Sequence, residues 1–194
     1  HVKTVSFHKP VKIEWFKDGV LNASVNCLDR HLDKSKDKIA FIFEPDEPGE
    51  GSRPWTYGDL HREVNVCANV LKKMGVQKGD RVTIYMPMKV EAAVAMLACA
   101  RIGAIHSVVF GGFAPDSVAS RIEDCESDFV ITSDETRRGG RHFPLKANVD
   151  EALLKTKRVK KVLVFKNTKS QVSMSPERDV WYEDLKNQVG EWCE

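Results

Sequence analysis

Residues 80–113 read DRVTIYMPMKVEAAVAMLACARIGAIHSVVFGGF, and they are the most informative segment for the architecture. Two short apolar runs, 82–86 and 105–110, flank the segment 89–102, whose apolar residues recur at helical spacing. Both runs are apolar throughout, which is typical of strands buried in a parallel sheet. The pattern predicts a strand, a helix and a second strand that ends in a glycine turn.

The predicted helix at 89–102 is apolar on both sides. Only Lys89, Glu91 and Arg101, near its ends, carry charge. Such a helix is expected to be covered from both sides by other elements. It is too short, and charged too close to its ends, to span a bilayer.

The segment before this unit predicts a strand, a loop and an amphipathic helix. Residues 38–43 predict a strand, and the Pro- and Gly-containing acidic segment 44–53 predicts a surface loop, with a hairpin leading to Trp55 as one possibility. Thr56 and Asp59 have the spacing of a capping box. The helix that follows has one apolar face and ends before Gly75: Leu60, Val64, Cys67, Leu71 and Met74.

Strands and helices continue to alternate after residue 113. Pro115 suits the first turn of a helix, Asn22 and Asn148 are candidate caps of two short helices, and residues 180–189 predict a last helix. Further strands are expected at 129–132 and 162–165. Residues 192–194 contain no motif that would be expected to pack the end of the chain against the core. The alternation predicts an α/β fold with a mostly parallel sheet. Ligands are then expected beyond the carboxyl ends of the strands.

Composition narrows the classes of protein. The 194 residues are 42% hydrophobic and 30% charged, with a net charge of +2. This charge gives no indication of nucleic acid or membrane binding, and neither is expected as a partner. The five cysteines form no C-x-x-C pair, so a reducing compartment is favoured. We expect the cytoplasm, with an organelle or the nucleus as alternatives.

The first candidate site is the turn formed by Phe110, Gly111, Gly112 and Phe113. Two glycines at a strand end allow the backbone to approach a ligand closely, and the aromatic rings offer stacking faces. The structural alternative is a tight turn between core aromatics. On this pattern alone, the structural interpretation is favoured roughly two to one.

The second candidate is the basic loop that contains Arg137, Arg138, Gly139, Gly140 and Arg141. Guanidinium groups bind phosphate through paired hydrogen bonds, and backbone N–H groups in such a turn can add to that binding. A solvated basic loop is the alternative. The segment lacks the P-loop pattern.

Other polar residues show no catalytic arrangement. Asp134 and Glu135 are adjacent in sequence, and a structural role is favoured for both. His106 lies within an apolar run and is expected to be a hydrogen-bonded core residue. The remaining histidines do not have metal-ligand spacing, and no catalytic residue is predicted.

Several motifs together resemble the acetyl-CoA synthetase family, the AMP-forming acetate–CoA ligases among the adenylate-forming enzymes. The resemblance covers nearly the whole chain and rests on these segments: 26–31 (NCLDRH), 85–88 (YMPM), 91–104 (EAAVAMLACARIGA), 106–108 (HSV), 110–113 (FGGF) and 131–135 (ITSDE). The propionate-using relatives are harder to exclude.

The resemblance implies a two-step ligase. ATP and acetate give acetyl-adenylate and pyrophosphate, and the thiol of CoA then attacks the adenylate. It implies that Phe110, Gly111 and Gly112 pack against the CoA nucleotide. It also implies that the segment Arg138, Gly139, Gly140, Arg141 binds CoA, with arginine at the 3′-phosphate.

The family's ATP-phosphate loop, its acyl-pocket tryptophan, its magnesium-binding region and its catalytic lysine are not found in this sequence. We therefore expect an incomplete part of the large N-terminal domain, inactive alone, with the rest of the ligase chain as its partner and self-association in isolation. Residues 1–44 would be a lead-in with a short helix and strand, 45–166 the core with the CoA-site loops, and 167–194 a truncated tail. The alternatives are a free-standing CoA- or nucleotide-binding module, an interaction domain whose basic loop binds an acidic partner, and a fragment of a propionate–CoA ligase.

Overall fold

The computed structural model describes residues 2–47 and 49–194, and it has an α/β architecture. The strands of the described residues have the following bounds: β1 Lys3–Ser6, β2 Lys12–Trp15, β3 Ile39–Phe43, β4 Arg53–Thr56, β5 Arg81–Met86, β6 Ile105–Phe110, β7 Phe129–Ser133, β8 Thr136–Arg138, β9 Arg141–Phe143, β10 Lys161–Phe165 and β11 Asp179–Trp181. The α-helices have these bounds: α1 Ala23–Cys27, α2 Leu32–Ser35, α3 Tyr57–Lys73, α4 Val90–Arg101, α5 Pro115–Asp124, α6 Leu145–Leu153 and α7 Tyr182–Lys186.

A five-stranded sheet in the order β11-β10-β7-β5-β6 forms the centre, and all its paired strands are parallel. Alternate residues of the three central strands, β5, β7 and β10, supply two separate apolar cores. Ile84 and Ile131 pack with α3 and α4 on one face, whereas Tyr85 and Val130 pack with α5 and α6 on the other. The prediction of an α/β fold with a mostly parallel sheet is confirmed.

The central unit of the sequence is β5, α4 and β6, and its two strands differ in burial. Val82 to Met86 of β5 are buried because β5 has a neighbour on each side. β6 is an edge strand, and its residues Ile105, Val108 and Phe110 are exposed. The expectation of two buried strands was therefore wrong for β6, since its apolar run does not reveal which strand lies at the edge.

The predicted helix boundaries near α3 are confirmed. The side chain of Thr56 accepts a hydrogen bond from the N–H of Asp59, and the Asp59 carboxylate accepts one from the N–H of Thr56, which completes the capping box. Gly75 follows the helix with a φ of +97°, a conformation that glycine adopts without strain. β3 and β4 form the hairpin that leads to Trp55.

Two local expectations were wrong, and a third was right only in part. Asn148 lies inside α6 and does not cap it, because the helix already begins at Leu145. His106 is exposed on the edge strand β6, and its burial in the core was inferred from apolar sequence neighbours alone. The predicted last helix at 180–189 is present but shorter, as α7, because Val180 and Trp181 pair with β10 as the end of β11.

The last residues are packed against the molecule, contrary to the expectation that nothing closes the end of the chain. Cys193 is buried; its N–H donates to Oδ1 of Asn65 at 2.9 Å, and its carbonyl oxygen accepts from Nε of Arg101 at 2.9 Å. The amide of Asn69 donates to the carbonyl oxygens of Gly190 and Trp192. Polar side chains of α3 and α4 therefore hold this segment.

Candidate functional site

A cleft of about 690 Å³ lies beyond the carboxyl ends of the central strands. It is lined by residues that follow β5, β6, β7 and β10, together with the acidic loop between β3 and β4. The chain leaves β5 towards β6 and leaves β7 towards β10, so the strand order diverges between β5 and β7. In open α/β sheets, ligands bind at such a divergence.

The turn after β6 is held close to the sheet. A Cβ atom on Gly111 would lie 2.9 Å from the carbonyl oxygen of Met86, so a larger residue does not fit without moving the backbone. Phe110 and Phe113 meet edge to face, with ring centroids 5.8 Å apart. Phe110, Gly111 and Gly112 all line the cleft, as the ligand-binding interpretation requires.

A buried tyrosine of the neighbouring strand β5 holds this turn by a hydrogen bond. The hydroxyl of Tyr85 donates to the carbonyl oxygen of Phe113 at 2.8 Å and accepts from the side-chain amide of Asn148 at 3.1 Å. Burial raises the pKa of Tyr85, so the hydroxyl remains a hydrogen-bond donor. Sequence analysis assigned neither residue to the site, because Tyr85 resembled any other apolar strand residue and Asn148 was expected to cap a helix.

The basic segment is a β-hairpin rather than a flexible loop. Strands β8 and β9 pair in antiparallel register, and Gly139 and Gly140 form the connection with φ values of +55° and +71°. Two consecutive positive φ values are the requirement of a type I′ turn, which suits the twist of a two-residue hairpin. The two glycines are therefore explained by the turn itself.

The hairpin has two different faces. Arg138 lies directly opposite Arg141, and Arg137 lies directly opposite His142. Arg137 and His142 face carboxylates, since Arg137 lies 3.7 Å from Glu47 and Nδ1 of His142 lies 2.7 Å from Oε1 of Glu135. Among the described residues, Arg138 and Arg141 have no acidic side chain within 4.0 Å, so one face of the hairpin carries two uncompensated positive charges.

The two predicted segments meet at a single contact. The guanidinium carbon of Arg138 lies 5.8 Å from the centroid of the Phe110 ring, a cation–π arrangement. Arg138 and its neighbour Arg137 line the cleft together with the turn after β6. Arg141 and the two turn glycines lie on the same hairpin, just outside the residues that line the cleft.

An acidic loop closes the other side of the cleft. Glu44, Asp46, Glu47 and Glu50 line it, and Oδ2 of Asp46 accepts from the N–H of Gly139 at 2.7 Å. Sequence analysis placed this loop on the surface but missed its contact with the hairpin. The opposite charges of the two loops were the available signal, yet charge alone does not specify which residues pair.

Asp134 and Glu135 have structural partners, as expected. The buried carboxylate of Asp134 accepts from the backbone N–H groups of Glu135, Asn167 and Thr168, at 2.7 to 3.2 Å. Burial raises the pKa of Glu135, but hydrogen bonds from Ser170, His142 and Thr168 outweigh that effect and leave its pKa below the ordinary value.

A second polar cluster links the first helix to α4 and was also missed. The Arg101 guanidinium bonds both carboxylate oxygens of Asp29, at 2.5 and 2.9 Å, and its side chain is only 3% exposed. His61 lies 3.3 Å from the same carboxylate. Asp29 belongs to the NCLDRH segment, so this motif residue is a structural partner of Arg101.

Residues 2–47 and 49–194 contain neither a cluster of potential metal ligands nor a helix that could span a membrane. Within 2–47 and 49–194, no group of three or more His, Cys, Asp or Glu side chains could hold a metal ion. Among these described residues, no helix is both long and apolar enough to cross a membrane.

Comparison with known sequences places the chain in a class. It belongs to the AMP-binding enzyme family, whose sequence profile matches residues 28–191. The chain is 58% identical to the acetyl-coenzyme A synthetase of Caulobacter vibrioides over 193 residues, covering 99% of this chain and 30% of that protein. It is 59% identical to that of Parvibaculum lavamentivorans, with the same coverage, and 56% identical to that of Bdellovibrio bacteriovorus. The chain therefore spans about 30% of the length of these relatives.

Proposed function

We propose that this chain is the N-terminal part of an AMP-forming acetate–CoA ligase and that it supplies the site for the CoA nucleotide. The parent enzyme would form acetyl-adenylate from ATP and acetate, and CoA would then take the acetyl group. The relatives, all named acetyl-coenzyme A synthetase, support acetate over propionate as the substrate. A cytoplasmic location follows as part of the same proposal.

The uncompensated face of the hairpin carries this proposal. Like charges directly opposite each other on paired strands destabilise a hairpin. Arg138 and Arg141 are such a pair, and an anion bound between them would remove the repulsion. CoA offers its 3′-phosphate for this purpose, and guanidinium groups bind phosphate through paired, charge-assisted hydrogen bonds.

The nucleotide would extend from the hairpin towards the turn after β6. Phe110 is half-exposed and lies beside Arg138, so an adenine ring has an aromatic and a cationic surface to contact. Gly111 and Gly112 keep side chains away from this surface. Gly139 and Gly140 leave the hairpin turn open, with no atom within 4 Å of an added Cβ.

The test compares CoA with 3′-dephospho-CoA by calorimetry. We expect the unaltered chain to bind CoA about tenfold more tightly, since a charge-assisted phosphate contact contributes about 1.5–3 kcal/mol. Arg138→Ala and Arg141→Ala should abolish this preference, whereas Arg62→Ala, an exposed arginine of α3 outside the cleft, should retain it. Equal affinity of the unaltered chain for both ligands would refute the proposal.

ATP and magnesium would be bound by residues that this chain lacks. Phosphoryl and adenylyl transfer depend on groups that stabilise the transferring phosphate, and the family's ATP-phosphate loop is not found in this sequence. We expect the purified chain to release no pyrophosphate from ATP and acetate. Acetate-dependent pyrophosphate release above a heat-inactivated control would contradict this.

The remainder of the ligase is the proposed partner of the exposed apolar surface. This surface includes Ile105, Val108 and Phe110 of the edge strand β6 and Trp15 and Phe16 of the β1–β2 hairpin. An exposed sheet edge with apolar side chains favours association. We expect the isolated chain to self-associate in sedimentation velocity, and a single monomeric species at 50 μM (about 1 mg/mL) would contradict this.

A further inference from the structure

One carboxylate connects the arginine hairpin to the neighbouring strand end. Oε1 of Glu135 lies 2.7 Å from Nδ1 of His142 in β9 and accepts from the Thr168 hydroxyl, after β10, at 2.9 Å. The carbonyl oxygen of Glu135 accepts from the side-chain amide of Asn167 at 2.8 Å. Glu135 itself lies between β7 and β8, so the end of β7, the hairpin and the loop after β10 meet at one residue.

Glu135, which anchors the hairpin, is held rigidly by its own neighbours. The side chain of Glu135 is only 15% exposed, although His142 is about half-exposed. Asp134, which is fully buried, fixes the backbone of Glu135, Asn167 and Thr168 through its carboxylate. A hydrogen bond to a rigid, partly buried carboxylate is stronger than one to a solvated side chain.

The hairpin needs such an anchor to have a defined position. Its strands contain three residues each, and an isolated two-stranded hairpin of this size is only marginally stable in water. The repulsion between Arg138 and Arg141 weakens it further. His142 lies opposite Arg137 and is not among the residues that line the cleft, so a bond to His142 fixes the hairpin without occupying the cleft.

We propose that Glu135 is a positioning residue that holds Arg138 and Arg141 towards the 3′-phosphate of CoA through its bond to His142. The inference rests on the proposed CoA site and deepens it. Glu135 does not touch the ligand; it determines the orientation of the hairpin that does. Loss of this bond should reduce the selectivity for the 3′-phosphate, although both arginine side chains are still present in the chain.

The experiment uses the full chain and four variants. Glu135→Ala and His142→Ala remove the bond, and Glu135→Gln retains a carbonyl oxygen that can accept from both His142 and Thr168. Asp116→Ala is the matched control, because it removes an exposed ion pair with Lys155 elsewhere. Two quantities are measured: the ratio of Kd values for 3′-dephospho-CoA and CoA, and amide hydrogen exchange across 136–143 without ligand.

We expect Glu135→Ala and His142→Ala to lower the Kd ratio about fivefold or more and to accelerate exchange in the hairpin, a loss comparable to that of one charge-assisted hydrogen bond. Glu135→Gln should restore most of the ratio, and Asp116→Ala should leave both quantities unchanged. An unchanged ratio and unchanged exchange in Glu135→Ala would overturn the inference.

Failure of the proposed function gives a different result. If the unaltered chain does not prefer CoA, the CoA site is refuted, and the inference falls with it. If the unaltered chain and Glu135→Gln prefer CoA while Glu135→Ala loses both the preference and the hairpin protection, the inference stands. If Glu135→Ala fails to fold, Glu135→Gln and His142→Ala decide the outcome, because His142 is an exposed residue.

Discussion

Tyr85 of β5 and Phe113 of the turn after β6 are joined by a hydrogen bond of 2.8 Å from the tyrosine hydroxyl to the phenylalanine carbonyl oxygen. This bond ties the glycine turn at the cleft to a fully buried strand. The amide of Asn148 on α6 completes the connection. The position of the turn therefore depends on the packing of the core below it.

Replacement of Tyr85 by phenylalanine should weaken both the fold and the site. The variant removes the hydroxyl and leaves the Phe113 carbonyl and the Asn148 amide without this partner, at a cost of about 1–2 kcal/mol in the free energy of unfolding. Urea denaturation checks the stability, and calorimetry checks the affinity for CoA. Tyr57→Phe is the control, since the Tyr57 hydroxyl makes no hydrogen bond within the described part of the chain. Equal stability of the two variants would contradict the prediction.

The two glycines of the turn should respond differently to alanine. An added Cβ at Gly111 meets the backbone of Met86 at 2.9 Å, whereas one at Gly112 meets the ring of Phe110 at 2.5 Å. A backbone cannot move cheaply, so Gly111→Ala should lower the stability by roughly 1–3 kcal/mol. Gly112→Ala should instead displace the Phe110 ring and weaken CoA binding with a smaller loss of stability. Thermal unfolding and calorimetry of the pair separate the two effects, and the reverse order of stability would refute this explanation.

Neutralisation of the acidic loop should strengthen anion binding. The carboxylate of Asp46 accepts from the N–H of Gly139, a group that could otherwise donate to a phosphate. Asp46→Asn should tighten CoA binding by about two- to fivefold, because one exposed negative charge beside the site is removed. Asp18→Asn is the control, since Asp18 is an exposed carboxylate outside the cleft. The gain should shrink at 0.5 M salt, and weaker binding by Asp46→Asn would contradict the prediction.

The ion pair between Arg101 and Asp29 should make stability depend on pH. Hydrogen bonds from Arg101 lower the pKa of Asp29 below its ordinary value. The ion pair therefore contributes its full stabilisation of the fold at pH values above the pKa of Asp29 in the unfolded chain. This stabilisation is lost as the pH falls through the lower pKa of Asp29 in the folded chain. Asp29→Asn should cost about 3 kcal/mol at pH 7, since it leaves the buried Arg101 without its countercharge.

Guanidinium chloride denaturation of the Asp29→Asn variant at pH 7 and at pH 3 checks this dependence. The difference from the unaltered chain should be largest at pH 7 and smaller at pH 3. Asp33→Asn, an exposed residue near Asp29, should show no such difference at either pH. A difference for Asp29→Asn that does not change with pH would argue against the ion pair as its cause.

Individual helices and strands were predictable from the sequence because they depend on interactions between residues close together in the chain. The capping box at Thr56, the glycine that ends α3 and the apolar runs of β5 and β7 all follow from residues close together in the chain. The order of the strands in the sheet does not follow from residues that are close together in the chain. The apolar run of β6 looks as buried as that of β5, and only the topology shows that Ile105 and Val108 lie at the sheet edge.

The candidate site was predictable as two segments but not as an arrangement. The glycine and arginine motifs identified the turn and a basic loop, whereas the hairpin form of that loop and the contact between Phe110 and Arg138 needed the structure. The arrangement could not be predicted because it depends on the register in which β8 and β9 pair. Whether Arg138 faces Arg141 or His142 depends on a one-residue shift in pairing, which the positive φ values of Gly139 and Gly140 fix.

Arg101 also bears on how the chain folds during synthesis. Its guanidinium binds Asp29, 72 residues earlier, and the carbonyl oxygen of Cys193, 92 residues later. On a ribosome, the charge of Arg101 can be paired as soon as α4 forms, but its remaining donor has no partner until residue 193 has emerged. Contacts of such sequence separation form slowly. This part of the core should therefore be completed late, after the first half of the chain has already collapsed.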